Sequence, residues 1–158
     1  MIVAASPAQD ELRDLYRELI LDHARSPRHF GKLDNISHSA EGINPLCGDK
    51  LKLYLNIDAE RMISAVAFEG SGCAISVASA SLLTETVTGL SCDAALRAVE
   101  DIRALLAGEG EQAAGPDLGK LKALAGVRDF PSRVKCATLA WHALASAINS
   151  ESELVSTE

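Results

Sequence analysis

The chain has 158 residues, enough for one ordinary core, and 47% of them are apolar. A formal charge of −7 argues against a nucleic-acid partner, since phosphate binding needs a clustered positive surface. No apolar run reaches membrane-spanning length, and Met1 to Ala5 has neither the basic n-region nor the apolar length of a signal peptide. The expected setting is therefore the cytoplasm, with no membrane partner, where thiols stay reduced. Four cysteines spread over such a domain do not make a disulfide framework. They are free, metal-bound or catalytic.

In chain order, Ser6, Pro7 and Gln9 predict a helix start as N-cap, first helical residue and capping-box partner. Leu12, Leu15, Tyr16, Leu19, Ile20 and His23 follow at helical spacing, and Pro27 and Gly31 end the element. A weak strand is expected around Ser37 to Ile43. In Lys50 to Asp58, Leu51, Leu53, Leu55 and Ile57 alternate with polar neighbours, which predicts a half-buried strand. The turn Asp58 to Arg61 leads into a further strand, Met62 to Phe68.

From Ala74 onward the pattern is helical. Ala74 to Thr88 predicts a small-residue helix stopped at Gly89, and Ser91 caps the next, with Leu96, Val99, Ile102, Leu105 and Leu106 inward. Gly108 to Pro116 reads as a loop, and Asp117 as the cap of a short helix with Leu118, Leu121 and Leu124. The last helix starts near Pro131 or Ser132 and carries Val134, Ala137, Trp141, Leu144, Ala145 and Ile148 on one face. The expected fold is α+β: a three-stranded antiparallel sheet with helices packed on one face. Residues 1–150 form a single domain and residues 151–158 a flexible acidic tail. With 4% aromatic residues, the core must be aliphatic.

Three cysteines share a setting. Cys47 lies in the turn Asn44-Pro45-Leu46-Cys47-Gly48-Asp49, Cys73 follows Glu69-Gly70-Ser71-Gly72 at a strand-to-helix junction, and Cys136 sits in the opening turns of the last helix. Helix N-termini favour thiolates, which bind metals or attack sulfur. Asp49, two residues from Cys47, can point at the same site. Three thiolates and a carboxylate make a plausible tetrahedral zinc site, although no C-x-x-C pair is present. Small buried structural thiols are the competing reading. A zinc deaminase would need H-x-E and P-C-x-x-C, and neither occurs.

Leu15-Tyr16-Arg17-Glu18, Asp22-His23, Pro27-Arg28, Asn44 to Asp49, Gly70 to Ser76 and Arg133-Val134-Lys135-Cys136-Ala137 appear in that order. Together they resemble the IscU/SufU (NifU N-terminal-like) family of iron–sulfur cluster assembly proteins. Lys135 stands where the scaffold branch has a histidine, and Phe130-Pro131-Ser132-Arg133-Val134-Lys135 departs from that branch's chaperone motif. The extra loop and short helix between Cys73 and Cys136 are likewise typical of the SufU branch.

The resemblance implies one zinc on Cys47, Asp49, Cys73 and Cys136, with Cys47 accepting sulfur. It implies a SufS-type cysteine desulfurase as partner, iron–sulfur assembly proteins downstream, and a sulfurtransferase-like helper rather than a stand-alone enzyme. A scaffold carrying a transient iron–sulfur cluster on the same ligands is the alternative. From its position three residues before Cys136, Arg133 is a candidate stabiliser of thiolate or persulfide, and a solvated arginine at the helix start is the equal alternative. Cys92 matches no family ligand and reads as a partly buried structural thiol. His23 reads as a core residue, His29 and His38 as surface residues, His142 as a helix flank, and Glu100-Asp101 as a solvated helix face.

Overall fold

A computed structural model describes residues 7–45, 48–107, 119–149 and 155–156. The elements are α1 (Pro7–Arg25), β1 (His38–Asn44), β2 (Asp49–Ile57), β3 (Ile63–Ser71), α2 (Ala74–Val87), α3 (Cys92–Leu106), a run of 3-10 turns (Gly119–Asp129), α4 (Pro131–Ile148) and β4 (Val155–Ser156). β1, β2 and β3 form the expected antiparallel meander, in the sheet order β3-β2-β1-β4. Leu51, Leu53, Leu55, Val66 and Phe68 supply its inner face; on the opposite face Lys50 and Lys52 are exposed, while Tyr54 and its cross-strand partner Ala67 are buried.

Helices cover that inner face. α4 crosses β1 and β2, α2 packs beside α4, and α1 lies on α2. Nearly every residue of α4 from Cys136 to Ile148 is buried, so it is the central helix rather than an amphipathic surface one. The capping signals read correctly at two starts. Ser91 Oγ accepts from Ala94 N at 3.1 Å, and Pro131 opens α4, where its missing N–H leaves no intrahelical bond unmade. α2 ends at Val87, and Gly89 follows in the left-handed region, φ +90°, donating its N–H to Ile63 O.

Four details refine or correct the expected pattern. Val155–Ser156, within the expected tail 151–158, pairs in parallel with Gly42 and Ile43. The edge of β1 offers unpaired backbone groups, and a passing segment can satisfy them whatever its side chains. The segment expected as a short helix is a run of 3-10 turns, and its proposed cap Asp117 and the loop Gly108 to Pro116 lie outside the described residues, as does Ser6. Leu15 is 65% exposed, because it lies about 100° around the helix from Tyr16, at the margin of the stripe completed by Leu19, Ile20 and His23. Cys92 is fully buried in the core, not partly.

His23 is a core residue, as its place on the apolar stripe suggests. It is fully buried, with Nδ1 2.7 Å from Ser81 Oγ. Its Nε2 lies 3.4 Å from Glu85 Oε1 without hydrogen-bond geometry. Burial pushes its pKa below the ordinary value, and the nearby Arg28 adds to this, outweighing attraction to Glu85 and Asp22. His29 is exposed yet contacts Thr84 Oγ1, and half-buried His142 receives Arg103 Nη2 at 3.0 Å.

A buried neutral histidine makes stability depend on pH. Below the unfolded value of about 6.5 the unfolded chain binds the proton that folded His23 refuses, so stability is lost as pH falls from there through the depressed folded pKa. Denaturant unfolding of the metal-free protein at pH 8 and pH 5 should show this loss. His23→Gln, less stable at pH 8, should lose less between the two pH values than the parent.

Candidate metal centre

Strand ends and helix starts meet at one end of the sheet. β1 finishes at Asn44 and β2 begins at Asp49, and the two residues face each other in register. Gly48 closes the turn between them with φ +70°, a conformation that favours glycine. β3 ends at Ser71, Gly72 follows, and Cys73 occupies the N-cap position of α2. Cys136 comes from the second turn of α4. Cys47, in the β1–β2 turn, lies outside the described residues.

The carboxylate of Asp49 and the sulfurs of Cys73 and Cys136 all lie within 4.8 Å of one another. Asp49 is 1% exposed, Cys136 is fully buried and Cys73 is half-buried. Asp49 Oδ1 accepts the backbone N–H of Cys73 at 2.9 Å, one of the donors that the start of α2 leaves unsatisfied. Its Oδ2 lies 4.0 Å from Cys73 Sγ and accepts from Asn44 Nδ2 at 3.4 Å. The same Asn44 Nδ2 lies 3.4 Å from Cys136 Sγ. Cys136 Sγ also approaches Ser132 O at 3.4 Å, one turn back in α4.

This donor set fits a soft divalent cation. A tetrahedral zinc ion with sulfur at about 2.3 Å and oxygen at about 2.0–2.2 Å sets its ligands roughly 3.5–3.8 Å apart. The observed separations need only a small inward adjustment. A buried carboxylate is costly unless paired, and among the described residues no ion pair engages Asp49. Two thiols beside it favour zinc or iron over magnesium or calcium. Asp49, Cys73 and Cys136 could hold such an ion, and a tetrahedral site takes one ligand more.

Arg133, exposed and one turn before Cys136, directs its guanidinium at this cluster. The charge and hydrogen bonding of Cys73, and then the charge of Cys136, hold its pKa above the ordinary value. Of the other candidates, Cys92 belongs to the aliphatic core, and no histidine joins the cluster among the described residues. Two contributors escaped sequence reasoning. Asn44 was legible as part of a motif, but its bridging amide depends on the β1–β2 register. Gly72 packs against Asp49: a Cβ there would overlap Oδ1 and come within 2.9 Å of Asp49 Cγ.

Gly72→Ala should therefore displace the carboxylate and weaken metal binding while the aliphatic core keeps the fold. Competition with a chromophoric chelator checks this, with circular dichroism as the fold control. An unchanged affinity would contradict the packing argument.

The NifU-like N terminal domain family matches residues 15–137. The chain is 40% identical over 141 residues to an iron–sulfur cluster assembly scaffold protein IscU of Streptococcus pyogenes serotype M1, covering 89% of this chain and 87% of that protein. It is equally 40% identical over 140 residues to the zinc-dependent sulfurtransferase SufU of Bacillus subtilis strain 168, covering 89% and 93%. The crystal structure of a candidate iron–sulfur cluster assembly scaffold for the SUF system of Fervidobacterium islandicum AW-1 superposes with a TM-score of 0.73 at 34% identity, covering 83% and 94%. The chain thus belongs to the NifU-like N-terminal domain family.

Proposed function

We propose that this chain is an iron–sulfur cluster assembly protein of the cytoplasm that binds one zinc ion and accepts sulfur from a SufS-type cysteine desulfurase. The observation that carries the reading is the convergence of Asp49, Cys73 and Cys136 within 4.8 Å, supplied by three separate elements. Cys47, in the turn that joins Asn44 to Asp49, is the fourth ligand and the sulfur acceptor. The zinc-dependent relative and the SUF-system structural neighbour support the choice of metal and pathway.

Bound zinc would keep the thiols as thiolates near neutral pH. The chain's own residues do the rest. The Cys47 thiolate attacks the outer sulfur of the desulfurase persulfide. One S–S bond forms on Cys47 as the donor's S–S bond breaks, and the donor leaves as a thiolate, so no net oxidation occurs. Arg133 stabilises negative sulfur at the rim. Cys73 and Cys136, at helix starts, stay in place and hold the site together. The sulfur then passes to assembly proteins downstream.

Three measurements test this. Aerobically purified protein should carry one zinc per chain and stimulate the desulfurase. Cys47→Ala should retain some zinc yet fail to stimulate turnover, and mass spectrometry after incubation with desulfurase and cysteine should find the added sulfur on the Cys47 peptide. Persulfide only on Cys92 would overturn the acceptor assignment. A brown protein with labile sulfide, able to pass a cluster to an apo-acceptor, would favour the scaffold reading, as would the name of the streptococcal relative.

Removing the metal should weaken a fold that still has its own core. At a thousandfold excess of zinc over Kd the stabilisation is about 4 kcal/mol. Asp49→Ala should lose part of the affinity and hold a reconstituted iron–sulfur cluster longer in air than the parent. Equal cluster lifetimes would contradict this.

A further inference from the structure

Three buried side-chain polar atoms have no hydrogen-bond partner among the described residues: His23 Nε2, Asn44 Oδ1 and Ser146 Oγ. Only that of Asn44 borders the metal cluster. Asn44 is fully buried at the end of β1, and its Nδ2 reaches both Asp49 Oδ2 and Cys136 Sγ, each at 3.4 Å. An amide oxygen and nitrogen differ little in shape, so chemistry must settle which end faces the cluster. A carboxylate and a thiolate are both acceptors, and turning the oxygen toward them would set three acceptors together. The orphaned Oδ1 is the consequence of directing the NH2 group at two ligands. Buried carbonyls without partners are rare and cost stability, so its presence here indicates that the other end of the amide has a use.

We propose that Asn44 is a positioning residue of the metal centre, one side chain that fixes Asp49 and Cys136 as the permanent pair of ligands and quiets the Cys136 thiolate through an N–H···S bond. The proposal rests on the zinc reading above and deepens it. One amide on two ligands sets their separation before metal arrives, lowering the ordering cost of binding. The bond to sulfur draws electron density from the lone pair, so Cys136 is a poorer nucleophile and stays with Cys73 among the holding ligands. Asp49 cannot swing away without losing both Asn44 and the Cys73 N–H, so the holding ligands and the reacting ligand are separated by their hydrogen bonds.

The test uses the full chain, stripped of metal and titrated with zinc and with cobalt(II). Asn44→Leu, close in volume but without donors, and Asn44→Ala should each bind zinc about 10–100-fold more weakly, the usual effect of losing a partner that orients a ligand. The sulfur-to-cobalt charge-transfer band should move to longer wavelength, because a thiolate without its N–H bond gives up an electron more easily. A merely structural role for Asn44 would not move that band. Cadmium-loaded parent protein supplies a check that needs no variant: a through-bond NMR correlation between an NMR-active cadmium nucleus and the Asn44 side-chain amide protons is expected. Unchanged zinc affinity, a weakened affinity with an unshifted band, or no such correlation in an assigned spectrum would each overturn the role of Asn44 while leaving zinc binding intact. Parent protein that takes up neither zinc nor cobalt would instead overturn the zinc reading.

Discussion

The carboxylate of Asp49, almost wholly withdrawn from water, is the group around which this end of the molecule is arranged. A buried carboxylate demands donors, and it finds them in two other parts of the chain: the amide of Asn44 across the β1–β2 pair and the backbone N–H of Cys73 at the start of α2. Gly72 allows the approach by having no Cβ. One side chain therefore fixes the ends of β1, β3 and α2 relative to the start of β2. The N-terminus of α2 suits this role because its partial positive charge favours an anion. Cys136 enters the same arrangement from α4 through Asn44.

Delivering Cys136 there depends on how α4 is seated. Ser79 of α2 donates to Ala137 O at 2.5 Å and accepts from Trp141 Nε1 at 3.1 Å, so a single hydroxyl ties α2 to α4 one residue past Cys136. Ser81, on the same helix, meets both His23 and the backbone N–H of Arg28, tying α2 to α1. Small side chains let the helices come close, and their hydroxyls satisfy polar groups that close packing would strand. The run of alanines and serines in α2 is thus a polar seam inside an aliphatic core. A site mounted on helices and strands locked in this way is held more precisely than one mounted on loops.

Much of this was legible in the sequence, and the parts that were not share a cause. β2 could be read from Leu51, Leu53 and Leu55, and α3 from the Ser91 cap, because those signals are local. The partner of Val155–Ser156 and the bridging of Asn44 depend on which strands become neighbours, and no periodicity encodes that. Cys73, Cys136 and Cys92 illustrate the limit for the site. All three are cysteines near helix starts, yet two converge on Asp49 and the third packs among Ala95, Val99 and their neighbours. Residue type and spacing left a metal site and buried structural thiols both open. Resemblance singled out four ligands, and the geometry brings three of them together, with Cys47 outside the described residues.

Exposure then limits which thiol can react. A sulfur atom carried on another protein must reach its acceptor roughly in line with the bond that breaks, so an acceptor has to be open to a macromolecular partner at least briefly. Cys136, in the second turn of α4, is fully buried and hydrogen-bonded by Asn44, an arrangement that suits holding and hinders attack. Cys73 is more open, but its backbone N–H anchors it to Asp49. The exposed Arg133 interacts with both sulfurs and could compensate negative charge on them. Both sulfurs are thus anchored, which is consistent with the proposed function, where a different thiol, Cys47, accepts the sulfur.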